Sequence, residues 1–262
     1  MSASIYTLTR GTAPLLISMP HVGTQIPAAL AARMTPVARQ LDDTDWHLER
    51  LYAFAHQLGA SILAPVHSRY VIDLNRPADG ASLYPGQNTT GLCPDMTFDG
   101  VPLYLDGEAP DAHDIAQRLD TYWQPYHQAL QAELARLRAT HGRALLWEAH
   151  SIRSHVPRLF DGELLVFNFG TVDGQSCDPA LATRLLELAC HESGSNAVLN
   201  GRFKGGYITR AYGQPAEGVQ AIQLELAQRS YMQESRPYAY DVEKAAVTSR
   251  VLETLVMAAL PH

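Results

Sequence analysis

The sequence has 262 residues, 46% hydrophobic and 18% charged, an ordinary globular composition. Its formal charge of −7 argues against a general nucleic-acid binder, which needs a basic footprint, and no apolar run reaches the ~20 residues of a membrane span. Residues 1–10 lack the basic start and apolar core of a secretory signal, and Cys93, Cys177 and Cys190 lie far apart without a Cys-x-x-Cys pair, so a reducing, cytoplasmic setting is expected.

Residues 15–19, an apolar run stopped by Pro20, predict a buried strand. Residues 44–58 space their apolar side chains helically, with Thr44 placed to cap and Gly59 to end the helix. Strands are expected at 61–65 and 70–74, followed by a long irregular excursion over 76–109, rich in Pro, Gly, Asn and Asp. The longest helix is expected over 111–140, then strands at 144–147 and 164–168, a helix over 179–192, a strand at 219–226 and a closing amphipathic helix over 240–259. Strands alternating with helices imply an α/β layered fold, expected as one domain over residues 1–262. The polar motifs follow the strand ends, where open α/β sheets place their sites.

Six constellations can carry chemistry. Pro20-His21-Val22-Gly23 puts a histidine at a strand end, where it suits a metal ligand or a loop hydrogen bond. Asp42-Asp43-Thr44-Asp45 offers more carboxylate than a helix cap needs; Asp45 is the first choice of ligand and Asp43 the alternative. In Trp147-Glu148-Ala149-His150-Ser151, a continuing strand would point Glu148 and His150 the same way, as two ligands or as one ligand held by a carboxylate. Asp73-Leu74-Asn75-Arg76 presents an amide and a guanidinium that match a carboxylate, although a surface salt bridge is the commoner use of such an arginine. Glu225, between Leu224 and Leu226, is costly to bury unless paired or functional, and burial would raise its pKa toward proton-transfer range. The stretch 203–210, with Gly205-Gly206, Lys204 and Arg210, reads as a substrate-side loop or as a solvated hairpin.

Taken in order, these segments resemble the N-formylglutamate amidohydrolase family, over nearly the whole chain. The resemblance rests on Pro20-His21-Val22-Gly23, Asp43-Thr44-Asp45-Trp46, Ser68 through Pro77, His150-Ser151-Ile152-Arg153-Ser154, and Phe203 through Glu225 to Tyr231-Met232. It implies a three-layer αβα sandwich around a mixed central sheet, zinc-carboxypeptidase-like and related to aspartoacylase. In that wider set an Asn-Arg pair grips the substrate carboxylate, and a glutamate on a late strand activates water; Asn75-Arg76 and Glu225 match in type and order. The chain departs from the wider set at Thr24, where His-x-x-Glu would supply a second ligand, and from the family at Glu148, often Asp, and at Leu165-Val166, where Pro-Asp is expected.

The resemblance implies zinc-dependent hydrolysis of N-formyl-L-glutamate to glutamate and formate, the last step of histidine degradation. His21, Asp45 and His150 are the expected ligands of one zinc ion per chain, other divalent metals being alternatives. Glu225 is the expected base, and Asn75 and Arg76 the expected anchors for one carboxylate. Arg69, Arg153 or Arg210 would take the other, Arg153 serving alternatively at the oxyanion, with Gly206 in the substrate loop. The partner is thus a small acidic molecule, with neither nucleic acid nor membrane, and oligomeric state is left open. Rival readings are a zinc-dependent deacylase of another N-acyl acidic amino acid or short peptide, a non-catalytic binding protein for acidic metabolites, and a serine hydrolase using Ser151 or Ser154, which lacks a Gly-x-Ser-x-Gly elbow.

Overall fold

A computed structural model describes residues 4–83, 86–194 and 196–260. Among the described residues, seven strands form one mixed sheet: β1 (Tyr6–Thr9), β2 (Leu15–Ser18), β3 (Ser61–Pro65), β4 (Ala144–Ile152), β5 (Phe167–Gly170), β6 (Ala197–Leu199) and β7 (Val219–Ala227), in the order β1-β3-β2-β4-β7-β5-β6. The central β3-β2-β4-β7 block is parallel, whereas β1 runs antiparallel to β3 and β5 antiparallel to β7. The principal helices are α1 (Ala28–Ala31), α2 (Leu48–Leu51), α3 (Ala112–Arg118), α4 (Gln124–His141), α5 (Pro179–Ser193), α6 (Tyr207–Tyr212) and α7 (Val242–Ala259). One face of the sheet packs a core that includes α2, α5 and α7; the other packs a core that includes α4 and residues 70–74. The expected αβα layering with a mixed central sheet is what the chain adopts.

The two central strands alternate with period two. Leu145, Trp147 and Ala149 of β4, with Ile222, Leu224 and Leu226 of β7, fill the first core. Ala144 and Leu146, with Val219 and Ala221, fill the second. The next residues on that second face are Glu148 and His150 on β4 and Gln223 and Glu225 on β7, so it turns polar toward the carboxyl ends. This polar edge therefore continues a core, and loops, among them those of His21 and Asp45, complete it.

Several expected elements differ. The run 70–74 is buried but not a strand: it is a series of turns inside the second core. Its carbonyls are satisfied by side chains, Val71 O by the Arg118 guanidinium (3.0 Å) and Leu74 O by His127 Nε2 (2.9 Å), so it needs no sheet neighbour. The helix expected at 44–58 starts only after His47, whose left-handed conformation (φ 63°) precedes α2, and it is interrupted at Tyr52 (φ −92°, ψ 19°), beyond which a 3-10 turn covers Ala53–His56. Thr44 is not its cap, and Asp45 precedes the helix. The 111–140 helix contains a π segment at Leu119–Trp123. The strand expected at 144–147 runs on to Ile152, and that expected at 164–168 lies at Phe167–Gly170. Strands β1 and β6 and helix α6 had no expectation of their own.

Candidate metal and substrate site

His21 follows β2, Asp45 precedes α2, and His150 lies near the end of β4; all three are buried. One donor atom from each converges within 4.8 Å. Asp45 Oδ2 lies 3.2 Å from His150 Nδ1 and 3.8 Å from His21 Nδ1. Tetrahedral zinc with ligands near 2.0–2.1 Å sets its ligand atoms about 3.3 Å apart, so the spacing fits a divalent ion.

Both histidines are held from behind by a carboxylate. His21 Nε2 meets Asp73 Oδ1 at 2.7 Å, and His150 Nε2 meets Glu148 Oε1 at 2.7 Å. With each Nε2–H given to a carboxylate, each Nδ1 turns its lone pair inward, the arrangement that orients a metal-ligating imidazole. Glu148 is itself fixed, because Thr209 of α6 donates its hydroxyl to Oε2. Asp45 Oδ2 also accepts from Ser151 N at 3.1 Å. Gly23 lets the His21 loop pass its neighbour: a Cβ there would sit 2.2 Å from His67 O.

Electrostatics reinforce the grouping. Burial opposes protonation of His150, but the carboxylates of Glu148, Asp45 and Glu225 outweigh it and draw its pKa well above the ordinary value. The cluster thus attracts positive charge, as a proton or as an ion. Burial and the Arg69 guanidinium lower the pKa of His21. Burial also works against Asp73, yet His21, Arg69 and Arg76 hold it well below the usual carboxylate range. Asp43, the alternative ligand, faces elsewhere: its Oδ2 accepts from Phe98 N at 2.8 Å, and burial pushes its carboxyl up to about 6.

Glu225 stands opposite His150 in the parallel β4–β7 register and lines the same cavity. Its carboxyl has no hydrogen-bond partner among the described residues. Burial pushes it up to about 8, with His150 working against the rise and Asp45 adding to it. That is the range of a base working near neutral pH.

The cavity measures about 590 Å³ with its open mouth included. Arg69, Arg76 and Arg202 line it. Arg69 pairs with Asp73 Oδ2 at 2.7 Å, and its Nη1 lies 3.2 Å from His21 Nδ1. Arg76 donates Nε to Thr90 O (2.8 Å) and Nη2 to Thr90 Oγ1 (3.0 Å). Gly206 approaches so closely that a Cβ would lie 2.2 Å from Asn75 Nδ2. The carbonyls of the Asn-Arg region are all taken: Leu74 O by His127, Asn75 O by Tyr207 N (3.3 Å), and Arg76 O by the Trp123 indole (2.9 Å). The π segment ends at Trp123 and thereby supports this wall from outside.

Three expected residues do not line the cavity: Asp45, which lies behind it between the two histidines, and two of the arginines. The Arg153 guanidinium pairs with Asp99 at 2.8 Å, and Arg210, on α6, gives Nε to Gly205 O at 3.0 Å. The sequence reading missed Arg202, which carries no motif of its own between Gly201 and Phe203. It also gave Asp73 no role, although that residue opens the quoted Asn-Arg motif. Ser151 and Ser154 are taken up by other partners, Ser151 Oγ by Tyr231 Oη (2.7 Å) and Ser154 Oγ by Glu234 Oε2 (2.6 Å).

The family model described as N-formylglutamate amidohydrolase matches residues 13–232. The chain belongs to the N-formylglutamate amidohydrolase family. It is 56% identical over 252 residues to an N-formylglutamate deformylase of Pseudomonas aeruginosa, covering 96% of this chain and 94% of the relative. It is 51% identical to the N-formylglutamate deformylase of Pseudomonas putida, covering 98% of this chain and 96% of the relative. Among solved structures, an N-formylglutamate amidohydrolase from Ralstonia eutropha JMP134 superposes with a TM-score of 0.82 at 26% identity, covering 98% and 97% of the two chains. An Agrobacterium tumefaciens gene product shares the fold, with a TM-score of 0.73 at 14% identity and 98% and 95% coverage. No helix among the described residues is long and apolar enough to cross a membrane.

Proposed function

We propose that the chain hydrolyses N-formyl-L-glutamate to L-glutamate and formate, as a zinc-dependent amidohydrolase of the cytoplasm acting at the end of histidine degradation. The observation that carries this is the convergence of His21 Nδ1, Asp45 Oδ2 and His150 Nδ1 beside the buried carboxyl of Glu225, in a chain whose curated relatives are N-formylglutamate deformylases. Two imidazoles and one carboxylate suit zinc with a position left for substrate. Three free thiols suit a reducing compartment.

His21, Asp45 and His150 would hold the ion, which when bound supplies Lewis acidity toward the formyl carbonyl and toward water. Glu225 takes a proton from the attacking water and returns it to the departing amine nitrogen as the C–N bond breaks. Its raised pKa makes both transfers accessible near neutrality. Asn75 and Arg76 bind the α-carboxylate, and the bonds to Thr90 keep the Arg76 fork in plane. Arg69, fixed by Asp73 beside the cluster, replaces Arg153 as the cation facing the developing oxyanion.

The experiment is formate release from N-formyl-L-glutamate with and without chelator, beside N-acetyl-L-glutamate and N-formyl-L-aspartate. Chelator-sensitive release, fastest on N-formyl-L-glutamate, is expected. Undiminished release under chelation rejects the metal, and faster turnover of another acyl group rejects the substrate.

A further inference from the structure

A dianionic substrate needs two cationic anchors, and the site described so far supplies one carboxylate subsite. Arg202 lies on the same cavity wall as Phe203, beyond β6 and ahead of Gly205-Gly206. Its position is built into the fold. Asn200 takes a left-handed conformation (φ 52°) and is tied to β5 and its exit, donating N–H to Phe169 O (2.7 Å) and accepting from Thr171 N (2.8 Å). Arg202 then gives Nε to Leu159 O (2.7 Å) and Nη2 to Asn88 O (3.1 Å), and its guanidinium stands 5.5 Å from the Phe203 ring. Carbonyls and an aromatic face orient this guanidinium.

The segment that holds Arg202 also holds Arg76. Arg202 is tied to Asn88 O and Arg76 to Thr90 O, two residues further on. Two residues of chain span at most about 7 Å. One short segment thus tethers both cationic forks on the same cavity.

We propose that Arg202 is the anchor for the substrate's side-chain carboxylate, so that an acidic side chain is preferred over a neutral one. This rests on the deformylase reading and deepens it. A charge-assisted fork bond aimed at one carboxylate acts on substrates that carry it and leaves the formyl chemistry alone.

The test compares kcat/KM of wild type and Arg202→Gln on N-formyl-L-glutamate and on its neutral isostere N-formyl-L-glutamine. The variant is expected to lose about 30- to 150-fold on the glutamate substrate, mostly in KM, and at most a few-fold on the glutamine one, so the preference between them collapses. Equal losses on both substrates overturn the proposal. Should Arg202→Gln fail to fold, Arg202→Lys replaces it: a lysine keeps the charge but cannot fill both carbonyls, and a selective loss of about tenfold on the acidic substrate is expected, again overturned by an equal loss. Wild-type protein that releases no formate from N-formyl-L-glutamate would instead reject the deformylase reading itself.

Discussion

The two faces of β4 and β7 are equally buried and chemically opposite. Leu145, Trp147, Ala149, Ile222, Leu224 and Leu226 make the middle of one face apolar. On the other, Leu146 and Ala221 give way to Glu148, His150, Gln223 and Glu225. Alternate residues of one pair of strands thus serve stability on one side and chemistry on the other. Parallel strands buried on both faces make this economical, because a polar residue at their carboxyl ends is shielded from water without any lid.

Substitutions on the two faces should break different properties. The largest effect is expected for Glu225→Gln. It should lower kcat by about 10²–10⁴-fold, the contribution of a positioned base, while keeping the ion and raising the thermal midpoint, since an unpaired buried carboxyl is removed. Steady-state kinetics with metal analysis check it; near-normal turnover would take Glu225 out of the role of base. Next is Trp147→Ala on the apolar face, whose indole also donates to Tyr52 Oη at 3.1 Å. It should cost about 3–5 kcal/mol of stability yet leave KM for N-formyl-L-glutamate nearly unchanged in the fraction that folds. A KM shift larger than the stability loss would show that the two faces are not separable.

How much was legible in the sequence follows the same division. The carboxyl-edge motifs named His21, His150 and Glu225 because each breaks an apolar pattern or ends a strand, Asp45 was named by the excess of carboxylates at 42–45, and period two told which neighbours share a face. The run 70–74 misled because burial looks the same whether a sheet partner or the side chains of Arg118 and His127 satisfy its backbone. The 44–58 helix misled because a left-handed His47 is not encoded by apolar spacing. Arg202 was invisible because its place depends on contacts to residues 88 and 159, distant in sequence.

The smallest effect concerns pH. In chelated protein, His150 and Glu225 bind protons more tightly folded than unfolded, their folded pKa values being raised above 6.5 and 4.5 respectively. Their contribution is therefore fully present below those values and is lost as pH rises, for Glu225 through about 8. His21, His67 and His127, shifted downward by burial, oppose this only below their ordinary value. Melting curves of chelated protein between about pH 6.5 and pH 8 should fall by a few degrees, and added zinc should flatten the decline. A midpoint that rises over that interval would contradict the assignment of these groups.

The most direct measurement is zinc content against activity during reconstitution of stripped protein. Formate release from N-formyl-L-glutamate should climb in proportion to bound zinc and level off at one ion per chain, and Asp45→Ala should abolish both uptake and release. Full activity in the stripped protein, or unchanged uptake after loss of Asp45, would contradict a metal centre at His21, Asp45 and His150.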